Sequence, residues 1–308
     1  MARKSMVVGV DGSAEARRAL EVAARLAERV RAQLVPVYSV PDMWIAGGLN
    51  DTPVVQPEVY ELLVQDAREQ VERFLHDALP GVKATLEVRT GVAAVAIAEV
   101  ARERGAELVV LGGKHHTALA RGLGQSTAHY LVRALDVPLL VVGGSAKPIA
   151  HILASVDLSE ASNPVLEAAR QWAKTLGAHV RAIHVVEPLH LFYLPVAPVD
   201  QQGYDERSRV AFDALMKRSR MPGTDHLLRT GIAPDVLATE ATSWPADLVV
   251  VGSHGKNWVD RLLVGSTTER LLNALPSSIL VIPTARAKVV RRRPSRRQAA
   301  KRPASKRR

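Results

Sequence analysis

The chain has 308 residues, enough for two ordinary domains. Hydrophobic residues make up 47% of it but aromatics only 4%, so the cores must be packed with Ala, Val and Leu in α/β style. There is no cysteine, which excludes disulfides and thiolate metal sites and suits a reducing cytoplasm. The net charge of +10 is local: residues 288–308 hold eleven of the 41 Lys and Arg and no acid, and the other 30 basic residues face 31 acidic ones. No apolar run approaches a membrane span, and residues 6–10 are too short for a signal peptide.

Residues 5–10 (SMVVGV) read as a buried strand ending in Asp11-Gly12-Ser13. The spacing of Ala16, Leu20, Ala23, Ala24 and Ala27 predicts a helix over 14–30, with Ser13 as its N-cap. Residues 33–39 form a second strand, and 41–56, with Pro, Gly and Trp44, are irregular. A long helix is expected over 57–79, with Pro57 in its first turn and Pro80-Gly81 as its stop. Alternation over 82–89 predicts a third strand closing in Thr90-Gly91. Then come a helix over 93–103, a strand over 108–111, a loop over 112–124, a helix over 126–135 and a fifth strand over 138–142.

The pattern then runs a second time. Strand 151–156 leads to Asp157-Leu158-Ser159, helix signals over 164–176 end at Gly177, and 178–186 is a strand. A Pro-rich connection over 187–202 precedes a helix over 204–218, and Arg229-Thr230-Gly231 repeats Arg89-Thr90-Gly91. The apolar run 247–251 opens a loop over 252–268, then a helix over 269–275 and a strand over 278–282. Asp157 lies 146 residues after Asp11, and Val185 lies 146 after Ser39; Thr230, Gly252 and Ser278 each lie 140 after Thr90, Gly112 and Pro138. One six-residue shift therefore relates the two halves.

A period this long marks a duplicated domain rather than a solenoid. Alternating strands and helices imply parallel sheets covered on both faces. The expected fold class is α/β, as two tandem, doubly wound, parallel five-stranded sheets. The domains are expected at residues 1–145 and 146–285, with 286–308 a basic disordered tail. Sites in such sheets lie at the C-terminal strand edge, near the switch in strand order. Asp157 should therefore share a crevice with Gly252, and Asp11 with Gly112.

The stretch Gly252–Thr268 (GSHGKNWVDRLLVGSTT) has the makings of a phosphate site. Gly252 and Gly255 open a loop at a strand end, where glycine permits close approach or positive φ. Gly265, Ser266 and Thr267 fall at the next helix's N-terminus, which offers unpaired N–H groups and partial positive charge. Ser266, Thr267 and Thr268 add hydroxyls. The spacing is neither the Walker pattern nor the close glycine cluster of the dinucleotide fold.

Val-Asp-x-Ser after the first strand, Thr-Gly after the third, and Gly-x-x-Gly, nine residues, Gly-Ser after the fourth resemble the universal stress protein family, and the two copies resemble its tandem-domain members. The resemblance covers about residues 5–283. It implies a Rossmann-like fold of the adenine nucleotide alpha-hydrolase-like type, and ATP in the crevice, with AMP or ADP as alternatives and Mg2+ left open as a companion ion. It implies Asp157 by the ribose and adenine, Val185 offering backbone to adenine, and Val251 and Gly252 bordering ribose and phosphates. His254, Gly255, Gly265, Ser266, Thr267 and Thr268 would hold the phosphates. In the first half Asp11, Gly112, Ser126 and Thr127 match, but His115 and Gln125 stand where Gly255 and Gly265 do. That half is expected to be a degenerate site, empty or taking a different ligand, unless Lys114, His115 and His116 hold phosphate by charge.

No paired carboxylates, Ser-His-Asp series or metal motif supports a hydrolase, so no catalytic or metal-binding residue is assigned. His184 is expected to pack rather than to bind. The expected function is a cytoplasmic, nucleotide-dependent stress-response sensor in which bound ATP orders the Gly252–Gly265 loop. Slow ATP hydrolysis assisted by His254 or Ser266, or autophosphorylation at Ser266 or Thr267, is the enzymatic alternative. A nucleic-acid-associated protein acting through its basic tail is the third. The two halves are expected to pair along the fifth strands, 138–142 and 278–282, as two subunits of a dimer would, with a homodimer of whole chains left open.

Overall fold

The computed structural model describes residues 4–41, 57–113, 127–188, 200–221, 224–254 and 264–284. The first half comprises β1 (Ser5–Gly9), α1 (Ala14–Val30), β2 (Gln33–Val40), α2 (Pro57–Ala78), β3 (Glu87–Thr90), α3 (Ala93–Glu103), β4 (Ala106–Gly112), α4 (Thr127–Ala134) and β5 (Leu139–Val142). The second comprises β6 (His151–Val156), α5 (Ser162–Leu176), β7 (His179–Val186), α6 (Gln201–Arg218), β8 (Asp225–Thr230), α7 (Ala233–Ser243), β9 (Leu248–Gly252), α8 (Ser266–Ala274) and β10 (Ser278–Ile282).

Local chemistry accounts for the boundaries. Ser13 caps α1 by accepting a hydrogen bond from Ala16 N at 3.2 Å, and α1 ends where Arg31 turns left-handed at φ 54°. The third strand is shorter than its alternating pattern predicts. Thr85 N reaches Leu34 O at 3.0 Å and Ala84 bridges Leu34, but the ladder with β2 starts only at Glu87. β3 is an edge strand, so one neighbour alone holds it in register.

Each half is parallel within itself, in the order β3-β2-β1-β4-β5 and β8-β7-β6-β9-β10. The halves are not two separate sheets. β5 and β10 pair antiparallel, giving one mixed sheet of ten strands. Leu280 faces Leu140, Ile279 faces Val141 and Val281 faces Leu139. Because the repeat offset here is 140, this register maps onto itself when the halves are exchanged, so a local dyad passes through the Leu140–Leu280 pair. The joint runs along the two fifth strands.

Strand side chains alternate between two apolar layers. One layer takes Val8, Val110, Leu140, Ala154, Val250 and Leu280 beneath residues of α1, α2, α5 and α6. The other takes Val7, Val109, Val141, Leu153, Val249 and Ile279 beneath residues of α3, α4, α7 and α8. Both layers cross the joint without a break. They are aliphatic as the composition requires, with Phe212 the largest fully buried side chain among the described residues. Among the described residues no helix is long and apolar enough to cross a membrane.

The fold makes the joint a core position for both halves. Leu140 is fully buried, so Leu140→Ala should cost about 2–5 kcal/mol of unfolding free energy in a denaturant titration. Hydrogen exchange should accelerate in β10 as well as in β5. Acceleration confined to the first half would contradict a shared core.

Candidate functional site

In both halves the strand order reverses between the first and fourth strands, so the C-terminal ends of β6 and β9 flank one crevice, and those of β1 and β4 another. The antiparallel joint turns these two crevices toward opposite ends of the sheet.

In the second half, Asp157 follows β6 directly. Its Oδ1 accepts from Ser159 N at 3.0 Å, Ser159 Oγ at 2.6 Å and Ser162 Oγ at 3.0 Å, while Asp157 N donates to Ser162 Oγ at 3.2 Å. Its Oδ2 is shielded from solvent and meets no hydrogen-bond partner among the described residues. Such an acceptor is costly unless a donor arrives. The turn also holds Leu158 at φ 63°, where its first-half counterpart is Gly12 at φ 76°. A left-handed leucine costs about 1–2 kcal/mol, and the three donors on Asp157 Oδ1 hold it there. Asp11 makes the equivalent turn, accepting from Ser13 N at 3.0 Å and from Ser13 Oγ.

Opposite this acid, β9 runs out through Gly252 into Ser253 and His254. Ser253 is buried and binds across to the end of β10: its N donates to Ile282 O at 2.8 Å, and its Oγ accepts from Thr284 N at 3.0 Å. His254 Nδ1 lies 2.9 Å from Ser253 Oγ and 3.1 Å from Thr284 Oγ1. These two hydroxyls orient the imidazole. Gly265 N donates to Ser253 O at 3.0 Å, and α8 begins at the next residue. Gly265, the N-cap, brings no side chain to satisfy the first N–H groups of α8. Ser266 is exposed there and Thr267 half-buried.

The structure places the expected residues as follows. Thr268 is buried and its Oγ donates to Gly252 O at 2.7 Å, so it latches α8 to β9 instead of facing a ligand. The Val251 side chain belongs to the core, which leaves only its backbone at the crevice. Val185 lies one register position past the Val156–His184 pair, level with Asp157, and its side chain packs on the same layer. Gly265 has φ −58°, and Gly252 is not left-handed either, so neither glycine is needed for positive φ. At Gly252 the constraint is space: a Cβ would meet His254 O and Thr284 Cγ2 at 3.2 Å. Gly255 lies outside the described residues, as do Lys114, His115, His116, Gln125 and Ser126. His184 packs as expected, with Nδ1 donating to Val156 O at 2.8 Å and its ring 5.9 Å from Phe212.

The first-half crevice is built differently. A Cβ on Gly112 would fall 2.4 Å from the Glu15 carbonyl carbon and 2.8 Å from Ala16 N. The backbone of the first turn of α1 therefore rests on the end of β4. At Gly252 the nearest atom of the equivalent helix α5 is a side-chain atom, Val165 Cγ2, at 3.7 Å. Ser162, Ser253 and Thr284 were not singled out by sequence reasoning. Their signal is the internal comparison, because Ala16, Gly113 and Gly144 occupy the matching first-half positions and carry no hydroxyl.

The universal stress protein family model matches the chain twice, over residues 2–143 and 148–283. The chain belongs to the universal stress protein family. A universal stress protein of Mycolicibacterium smegmatis is 28% identical over 288 residues, covering 90% of this chain and 96% of that protein. One from Mycobacterium tuberculosis is 28% identical over 304 residues, covering 90% and 94%. Among solved structures, a universal stress protein from Archaeoglobus fulgidus superposes with TM-score 0.64 at 16% identity, over 91% of this chain and 96% of that one. The tandem architecture is therefore common to the universal stress proteins that span this chain.

The Thr268 latch carries a stability expectation. Thr268→Val keeps the shape and removes the only hydroxyl bonded to the part-buried Gly252 carbonyl among the described residues. Unfolding free energy should fall by about 1–3 kcal/mol. An unchanged denaturation midpoint would contradict the latch.

Proposed function

We propose that this universal stress protein binds ATP, or another adenine nucleotide, in its second half and acts as a nucleotide-dependent sensor of the stress response. One observation carries the reading. The shielded Asp157 Oδ2 has no partner among the described residues, and it sits at the same sheet end as the N-terminus of α8, where the N-cap Gly265 brings no capping side chain. A nucleotide supplies what each side lacks. Its ribose hydroxyls or amino group donate to the carboxylate, and its phosphates accept from the N–H groups and hydroxyls of Ser266 and Thr267. The backbone at Val185, Val251 and Gly252 borders the base and sugar. His254, oriented through Nδ1, would meet the phosphates with Gly265, and the sequence pattern assigns Gly255 to the same role. Mg2+ would come with the phosphates.

In this reading bound phosphate fixes α8 against β9, and the signal is the resulting surface, read by a partner in the cytoplasm. Differential affinity for nucleotide is what biases that surface. The first half, with α1 resting on Gly112, is a support.

Binding of labelled ATP tests it. Asp157→Asn keeps an acceptor for the serines but turns Oδ2 into a donor, and Gly265→Gln places a side chain at the mouth of the helix. Each should weaken binding about tenfold or more. Affinity equal to the parent chain in both variants would overturn the assignment. Turnover of ATP that is lost in His254→Ala would move the protein to the enzymatic class.

A second reading concerns residues 288–308, whose eleven basic residues and no acid form a polyanion-binding composition. Deleting them should abolish salt-sensitive retention on DNA and leave ATP binding intact. Retention that survives the deletion would rule the tail out.

A further inference from the structure

We propose that the first half completes the nucleotide site of the second, through a seat for Leu275 formed by Gly113 and Gly143; the proposal rests on the site reading given above. The nine-residue helix α8 is held at both ends. At its N-terminus, Gly265 N and Thr268 Oγ tie it to Ser253 O and Gly252 O at 3.0 and 2.7 Å. At its C-terminus, Leu275 turns left-handed at φ 42°, closes on Leu271 O at 2.7 Å and is 2% exposed. Leu275 points out of its own half. A Cβ on Gly113 would stand 2.3 Å from Leu275 Cδ2, and one on Gly143 would stand 2.8 Å from Leu275 Cγ.

Neither glycine is left-handed, so each supplies room and nothing else. The seat closes further where Ser278 Oγ accepts from Gly143 N at 3.3 Å and donates to Gly143 O at 3.4 Å. The matching second-half positions carry Ser253 and Pro283, so this seat is a feature of the first half. A helix moves as a rigid rod. Displacing Leu275 therefore shifts the N-terminal turn that presents Ser266 and Thr267. Gly113 and Gly143 act as positioning residues, from the far half and the opposite end of the sheet.

The test is a compensating pair in the full chain. Gly113→Val adds three carbons against Leu275, and Leu275→Ala removes three. Gly113→Val should weaken ATP binding about tenfold and speed amide exchange at Ser266–Thr268. Gly113→Val with Leu275→Ala should return both to within about twofold of the parent. Gly113→Ala, alone and with Leu275→Ala, gives the same comparison if the larger side chain prevents folding. Unchanged affinity in Gly113→Val, or a loss that the double variant does not restore, overturns the proposal. Exchange at the α8 N-terminus is read without ligand. A parent chain that binds no ATP would thus defeat the site reading, while the exchange pattern still decides whether Gly113 positions α8.

Discussion

The antiparallel ladder between β5 and β10 is the constraint on which the rest of the molecule depends. Leu140 and Leu280 face each other on a local dyad, both fully buried. Every other strand pair in the sheet is parallel. That single reversal does three things. It merges two five-stranded halves into one sheet, it makes both apolar layers continuous across the chain, and it sends the two crevices to opposite ends. It also protects the two strands that would otherwise be open edges. The outer edges fall to β3 and β8, where Glu87, Arg89, Asp225 and Arg229 are engaged in ion pairs instead of offering apolar surface.

Within that frame the two halves use one backbone plan for unequal ends. Both place an aspartate after the first strand, and both fold its carboxylate back on a serine two residues on. In the second half the turn takes a further hydroxyl from Ser162 and tolerates Leu158 in a left-handed conformation. Strain of this kind persists where surrounding contacts over-determine it, and it tends to gather at working sites. In the first half the turn is relaxed by Gly12, and the backbone of α1 lies on the end of β4. The same glycine position therefore serves helix–strand contact at Gly112 and clearance for a strand exit at Gly252.

The short helix α8 connects these themes. Its N-terminus belongs to the second half's crevice and its C-terminal residue to the first half's core edge. Ser253 has a similar double place, with its main chain in the β9 exit and its hydroxyl against Thr284 beyond β10. Such shared elements bind the fold to the site, since the groups that orient His254 also close the sheet.

Much was legible in the chain itself. The periodicities, the caps and the 140–146 residue repeat specified the elements, their parallel pairing within each half and the crevice ends, because local hydrophobic spacing and turn chemistry are written residue by residue. Asp157, His254 and Gly265–Thr267 could be assigned to one crevice from strand order alone. What an element's side chains spend their hydrogen bonds on could not be read that way. The Thr268 hydroxyl is spent on Gly252 O, a bond across 16 residues that no local pattern announces. The seat of Leu275 beside Gly113 and Gly143 was equally hidden, since it joins residues more than 130 positions apart. The sequence alone determined a duplicated α/β chain whose second half alone carries the full Gly-x-x-Gly, nine residues, Gly-Ser pattern. Only the tertiary structure decided that the Thr268 hydroxyl is spent on Gly252 O and that Leu275 lies against Gly113 and Gly143, because those outcomes depend on distances between elements that no local pattern encodes.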